Sequence, residues 1–168
     1  MDRVEKLHIE LRAIDEGDAA FLYAVYASTR AEELAPLGWN DAQRESFLRM
    51  QFEAQRRDYW SNCDTARFRI IVCDGEPAGR LYVERRADEL CIVDIALLPA
   101  FRNRGIGSVL IGRLFAEADA AALAVRIHVE HNNPAQRLYA RLGFEFCGEA
   151  GAIHRLMERR PLLQQSVA

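Results

Sequence analysis

The chain has 168 residues, half of them hydrophobic and 28% charged, a composition for one packed domain of ordinary size and not for a disordered chain. Its 22 Lys and Arg stand against 25 Asp and Glu, and the net charge of −3 excludes the basic surplus of a dedicated nucleic-acid binder. The longest uncharged stretch, Ala19–Thr29, is far too short for a membrane span, and the charged segment Met1–Asp15 lacks the apolar run of a signal peptide. A soluble, cytoplasmic protein is therefore expected, with no membrane partner.

In chain order, Leu7, Ile9 and Leu11 alternate with polar residues and predict a first strand. A helix is predicted over Asp15–Ser28, with Phe21, Leu22, Val25 and Tyr26 at helical spacing behind a capping Asp15. Pro36 and Gly38 break the chain. A long helix follows over Asp41–Trp60, with Phe47, Leu48, Met50, Phe52 and Ala54 as candidate buried positions. Phe68–Cys73 and Ala78–Arg85 flank Asp74-Gly75-Glu76-Pro77, a hairpin signal. Leu90–Leu98 is a mostly apolar run, as in a central strand buried on both faces.

A glycine-bearing turn then leads into a predicted helix over Ile106–Ala122 and a strand over Ala124–Val129. A short helix over Pro134–Leu142 has Gly143 at its C-cap position, and Phe144–Cys147 and Ile153–Glu158 read as closing strands. The order β-α-α-β-β-β-α-β-α-β-β has no repeat and no linker. It reads as one mixed α/β domain over residues 1–161, with 162–168 as a flexible tail. Cys63, Cys73, Cys91 and Cys147 form no CxxC pair, and with four scattered histidines they show no zinc spacing, so no metal is expected.

Two segments carry chemistry. In Arg102-Asn103-Arg104-Gly105-Ile106-Gly107-Ser108, between a strand and a helix start, the glycines let a ligand approach the backbone. The first-turn amides of the helix and the two arginines suit an anion such as a pyrophosphate. An ordinary strand–helix turn with solvated arginines is the plainer alternative. One strand later stand Asn132-Asn133-Pro134-Ala135 and Leu138-Tyr139-Ala140-Arg141-Leu142-Gly143-Phe144.

With both segments in view, the sequence resembles the GCN5-related N-acetyltransferase (GNAT) superfamily. Arg102-x-x-Gly105-x-Gly107 is similar to its acetyl-CoA pyrophosphate motif, and Asn132-x-x-Ala135-x-x-x-Tyr139-x-x-x-Gly143-Phe144 to its second motif. The resemblance implies a GNAT-like domain with a mostly antiparallel sheet of six to seven strands, splayed central strands and about four flanking helices. It implies acetyl-CoA as co-substrate and transfer of the acetyl group to a primary amine on a small molecule or peptide. A homodimer through the late strands is compatible with it. Ala96, Leu97 and Leu98 would then offer backbone contacts to pantetheine, and Arg102, Asn103, Arg104, Gly105, Ile106, Gly107 and Ser108 would hold the pyrophosphate. Asn132 and Ala135 would lie along the pantetheine arm, with Tyr139 close to the sulfur.

The Tyr139 hydroxyl is the candidate general acid for the departing thiolate, against a reading as a packed aromatic. Asp94, the only acid in the run Ile92–Leu98, is the candidate base, against a structural carboxylate tied to backbone or an arginine. Glu130 and Glu33 are weaker candidates. Glu32-Glu33 in the loop up to Trp39, with Tyr82, could receive a cationic amine, or the acid pair is a solvated helix end. His128 and His131 could assist proton transfer or be structural. A catalytically silent acyl-CoA-binding module is the alternative function, and would have no need of Tyr139 and Asp94.

Overall fold

The computed structural model describes residues 6–162, which fall into two compact units. The first comprises residues 6–82 and Asp94–Arg104, and the second Val83–Val93 and residues 105–162. Among the described residues, seven strands form one sheet in the order β1-β2-β3-β4-β5-β7-β6.

In the first unit, β1 (Ile9–Ala13) pairs antiparallel with β2 (Arg67–Cys73), Leu11 lying opposite Ile71. Only Ile9 of the alternating β1 residues is buried, and Leu11 is largely exposed. A 3-10 turn at Glu16–Asp18 leads into α1 (Ala19–Leu34). The Asp15 side chain accepts from Gly17 N, and Asp18 Oδ2 accepts from Asp15 N. Helix α1 runs six residues past the predicted end, because nothing breaks it before Pro36. Gly38, at φ 66°, ends the connection, and α2 (Asp41–Asn62) begins under a capping box made by Asn40 and Gln43.

Helix α2 buries Leu48 and Phe52, whereas Met50 and Ala54, expected inside, are exposed. Residues 50 and 54 lie on the opposite face from 48 and 52. Strands β2 and β3 (Glu76–Arg85) are joined by Asp74-Gly75, both at positive φ, the signature of a two-residue hairpin turn. Phe68 and Tyr82 stack in parallel at 4.1 Å, and Tyr59 and Trp60 meet both rings edge-on.

Strand β4 (Glu89–Leu97) corrects the expectation of a strand buried on both faces. Its first four residues are buried and the rest only half-buried. In the second unit its start runs parallel to β5 (Ala124–Glu130), Glu89 to Ile92 facing Ala124 to Ile127. The buried Glu89 is matched by Arg86 and Arg126 at 2.8 and 2.9 Å, which explains a charge inside the sheet.

Helix α3 (Ile106–Ala120) packs on β5 through the stripe Leu110, Ile111, Leu114 and Ala118. Burying each such leucine contributes about 2 kcal/mol. Helix α4 (Gln136–Leu142) ends at Gly143, at φ 111°. Strands β6 (Glu145–Ala150) and β7 (His154–Arg159) close the sheet, with an irregularity between Phe146 and Gly148. Of the tail expected over 162–168, residues 163–168 lie outside the described residues.

Candidate active site

The segment that reads as a phosphate loop starts where β4 ends. A 3-10 turn at Pro99–Phe101 leads to Arg102, and Asn103 and Gly105 both take positive φ. Gly105 is the N-cap of α3 and carries no side chain to close the helix. The first amide bonded along the helix is that of Val109, to Gly105 O, so the amides of Ile106, Gly107 and Ser108 precede the helical ladder. A Cβ built on Gly105 or Gly107 meets no atom within 4 Å, so the space over this turn is open.

The two arginines differ. Arg102 donates from Nε to Leu97 O at 3.0 Å and from its NH2 group to Ser28 Oγ and O, which ties the end of β4 to α1. Arg104 lies over the Phe101 ring, is exposed, and has no acid or carbonyl partner among the described residues. Of the strand positions expected to offer free backbone, Leu97 O is taken by Arg102, and Leu98 N donates to Ala78 O. Ala96 lies where β4 approaches Gly79 most closely. A side chain at Gly79 would strike Ala96 O and come within 2.9 Å of Leu97 Cα.

Asp94 is half-buried and pairs with Arg80, whose side chain is only 3% exposed, at 2.5 Å through Oδ2. The same guanidinium donates to Gln55 Oε1 at 3.0 Å, while its Nε is buried without an acceptor. The structural alternative for Asp94, a carboxylate held by an arginine, is thus what the geometry contains, and Oδ2 is the engaged oxygen. Burial raises the titration of Tyr59 and Tyr82 beside this pair, so both hydroxyls stay protonated. Neither Gly79 nor Arg80 stands out in the sequence reading. An arginine inside a strand run carries the same signal as an aspartate there.

In the second unit, Asn133 Oδ1 accepts from Ala135 N, and Gln136 Nε2 donates to the carbonyls of Glu130 and His131, which fixes the turn ahead of α4. Asn132 lies exposed in that turn. Tyr139 is buried on α4 against Phe144, whose ring also meets Phe115. Glu130 sits at the end of β5 and is half-buried. Both ring nitrogens of His131 are engaged, by Glu149 and Arg155. Desolvation, with His154 and Arg86 nearby, holds His128 below the usual histidine pKa.

The residues expected to receive an amine each have partners within the protein. Glu33 is on α1, not in a loop, and pairs with Arg30 three residues back. Trp39 packs edge-on against Phe47. Tyr82 is fully buried in its stack with Phe68. Among the described residues no cluster of metal-ligating side chains occurs, and no helix is long and apolar enough to cross a membrane.

The family model described as "Acetyltransferase (GNAT) family" matches residues 11–144. Streptothricin acetyltransferase of Streptomyces lavendulae is 35% identical over 99 residues, 56% of this chain and 52% of that protein. A Bacillus subtilis protein provisionally named ribosomal protein bS18-alanine N-acetyltransferase is 32% identical over 83 residues, 48% of this chain and 54% of its own length. The chain thus spans about half the length of the curated relatives it matches. The fold is shared with the PaiA N-acetyltransferase of Thermoplasma acidophilum, solved with coenzyme A, at a TM-score of 0.67 and 19% identity over 91% of this chain and 99% of that one.

Proposed function

The chain belongs to the acetyltransferase (GNAT) family, and from that premise we propose that it moves an acetyl group from acetyl-CoA to a primary amine, with both substrates bound at once. The observation that carries this reading is the uncapped start of α3, whose leading amides have no side chain over them and open space above Gly107. These residues fit a pyrophosphate, which would accept from the amides and complement the helix dipole. Arg104, uncommitted to other acceptors, would add a charge-assisted donor, while Arg102 holds the base of the turn.

Acetyl-CoA supplies the activated thioester. The amine nitrogen bonds to the acetyl carbon, the carbon–sulfur bond breaks, and the thiolate needs a proton. Tyr139 is the proposed donor, its ring braced by Phe144. Asp94 is the proposed acceptor of the amine's proton, directly or through water, using Oδ1 while Arg80 holds Oδ2. Arg80 acts there as a positioning residue. The relatives' names span a small molecule, streptothricin, and a ribosomal-protein alanine, and the acceptor proposed for this chain is accordingly a small-molecule or peptide amine.

Tyr139→Phe tests the chemistry with the loss of one oxygen. Turnover should fall by about 10²–10⁴, the usual range for a lost general acid. Coenzyme A affinity, measured by calorimetry, should change little. A Phe variant that keeps most of its turnover would withdraw the role from Tyr139.

A further inference from the structure

Tyr139, the proposed proton donor, is the buried residue of a helix seven residues long. A helix that short does not hold itself in place, so the position of Tyr139 is set by what packs against α4. Phe144 reaches Tyr139 twice. Its ring meets that of Tyr139 edge-on at 5.8 Å, and its amide donates to Tyr139 O at 3.0 Å. Phe144 in turn leans on the buried Phe115 of α3, with 5.3 Å between ring centres. Rings in such tilted and edge-on contact fix one another's planes.

Behind Phe115 stands a charged group. The Arg159 guanidinium of β7 lies 4.4 Å from the centre of the Phe115 ring. Arg159 Cγ is 3.9 Å from where a side chain on Gly143, the α4 cap, would begin. Arg159 is itself clamped by a fork, Nη1 donating to Asp119 Oδ1 at 2.5 Å and Nη2 to Oδ2 at 3.1 Å. Asp119, near the end of α3, also accepts from Leu162 N at 2.8 Å. The Arg159 side chain is 11% exposed, and an apolar residue there would cover Phe115 without desolvating a charge. What the fork adds is direction, because a bidentate pair admits one orientation of the guanidinium.

We propose that Arg159 is a positioning residue for Tyr139. Clamped by Asp119, it fixes Phe115 and the α4 cap, and through Phe144 it holds the Tyr139 hydroxyl at the coenzyme A sulfur. The proposal rests on the reading of Tyr139 as proton donor. Proton transfer depends on that placement, since a shift of about 1 Å can cost on the order of 10²-fold in rate.

The test reads the Tyr139 ring by NMR in protein carrying ¹³C at Cζ of its five tyrosines, the Tyr139 signal being the one that Tyr139→Phe removes. Spectra are compared at saturating coenzyme A and at saturating desulfo-coenzyme A, so that their difference reports contact with the sulfur alone. In the parent the Tyr139 signal should differ between the two ligands. In Arg159→Ala most of that difference should vanish, while calorimetric coenzyme A affinity stays within about twofold of the parent. Arg159→Lys, which keeps a cation for Phe115 and Asp119, should restore it. Should Arg159→Ala not fold, Asp119→Asn, which weakens the fork and keeps its shape, takes its place with the same expectation. A difference that persists in the Ala variant, or that Lys fails to restore, would overturn the inference. A parent whose Tyr139 signal is the same with both ligands refutes the proton-donor reading instead. A parent that binds neither ligand refutes the acetyltransferase reading, and the inference falls with either.

Discussion

Helices α2 and α3 begin in opposite ways. At α2, Asn40 Oδ1 accepts from Gln43 N at 2.8 Å and Gln43 Oε1 accepts from Asn40 N at 3.1 Å, so the chain satisfies its own leading donors. At α3 the N-cap is Gly105, with positive φ and no side chain, and a Cβ built at Gly105 or Gly107 meets no atom within 4 Å. The first helix start is complete in the folded chain. The second has no side-chain acceptor, and its leading amides are left to water or to a bound anion. The difference separates residues that hold the fold from residues proposed to serve a ligand, even though both sit at the same kind of position.

A large effect that sharpens this contrast is expected at Arg104. Arg104→Ala removes an uncommitted cation beside the open helix start, and coenzyme A affinity should fall roughly tenfold or more, the range for a charged hydrogen bond. Arg102→Ala should act chiefly on the melting temperature, because its donors go to Leu97 and Ser28. Calorimetry and thermal melts on the pair read the split, and the reverse pattern would exchange the two roles.

A smaller effect belongs to the closed start. Asn40→Ala should lower stability by about 1 kcal/mol and leave coenzyme A affinity unchanged, as denaturation and calorimetry would show. The smallest is electrostatic, at the entrance to α1. Arg12 grips Asp18 through two hydrogen bonds, of 2.7 and 2.8 Å, and these, with the bond from Asp15 N, hold the Asp18 carboxyl below its ordinary value against the opposing effect of burial. The unfolded chain therefore binds this proton first, and the stabilisation is present above the ordinary carboxylate value of 3.8 and lost as pH falls through the lower folded value. Asp18→Asn should be less stable than the parent at neutral pH, with the gap closing as pH falls below the ordinary carboxylate value. A gap independent of pH would show that Asp18 acts by packing.

What was legible in the sequence was what is local. The loop from Arg102 to Ser108, the Asp74-Gly75 turn and the Gly143 cap each depend on a few consecutive residues, and each appears where the sequence places it. What depends on register between strands was not legible. Arg80 and Asp94 are 14 residues apart, and only the pairing of β3 with β4 brings them together. The close approach of β4 to Gly79 has the same origin. The stack of Tyr82 on Phe68 likewise joins residues of adjoining strands, 14 apart in the sequence, and no local motif marks it. On α2, Met50 and Ala54 matched the apolar composition of the helix but not its period, which Leu48 and Phe52 define.

The measurement that bears most directly on the account is a calorimetric titration of coenzyme A into the parent protein and Gly107→Val. A side chain at Gly107 meets nothing in the protein, so the variant should melt as the parent does. It would stand where the pyrophosphate must approach the α3 amides, and coenzyme A affinity should fall by about 10²-fold, the loss of two hydrogen bonds to a charged group. A parent protein that fails to bind coenzyme A, or a valine variant that binds it as tightly as the parent, would contradict the account.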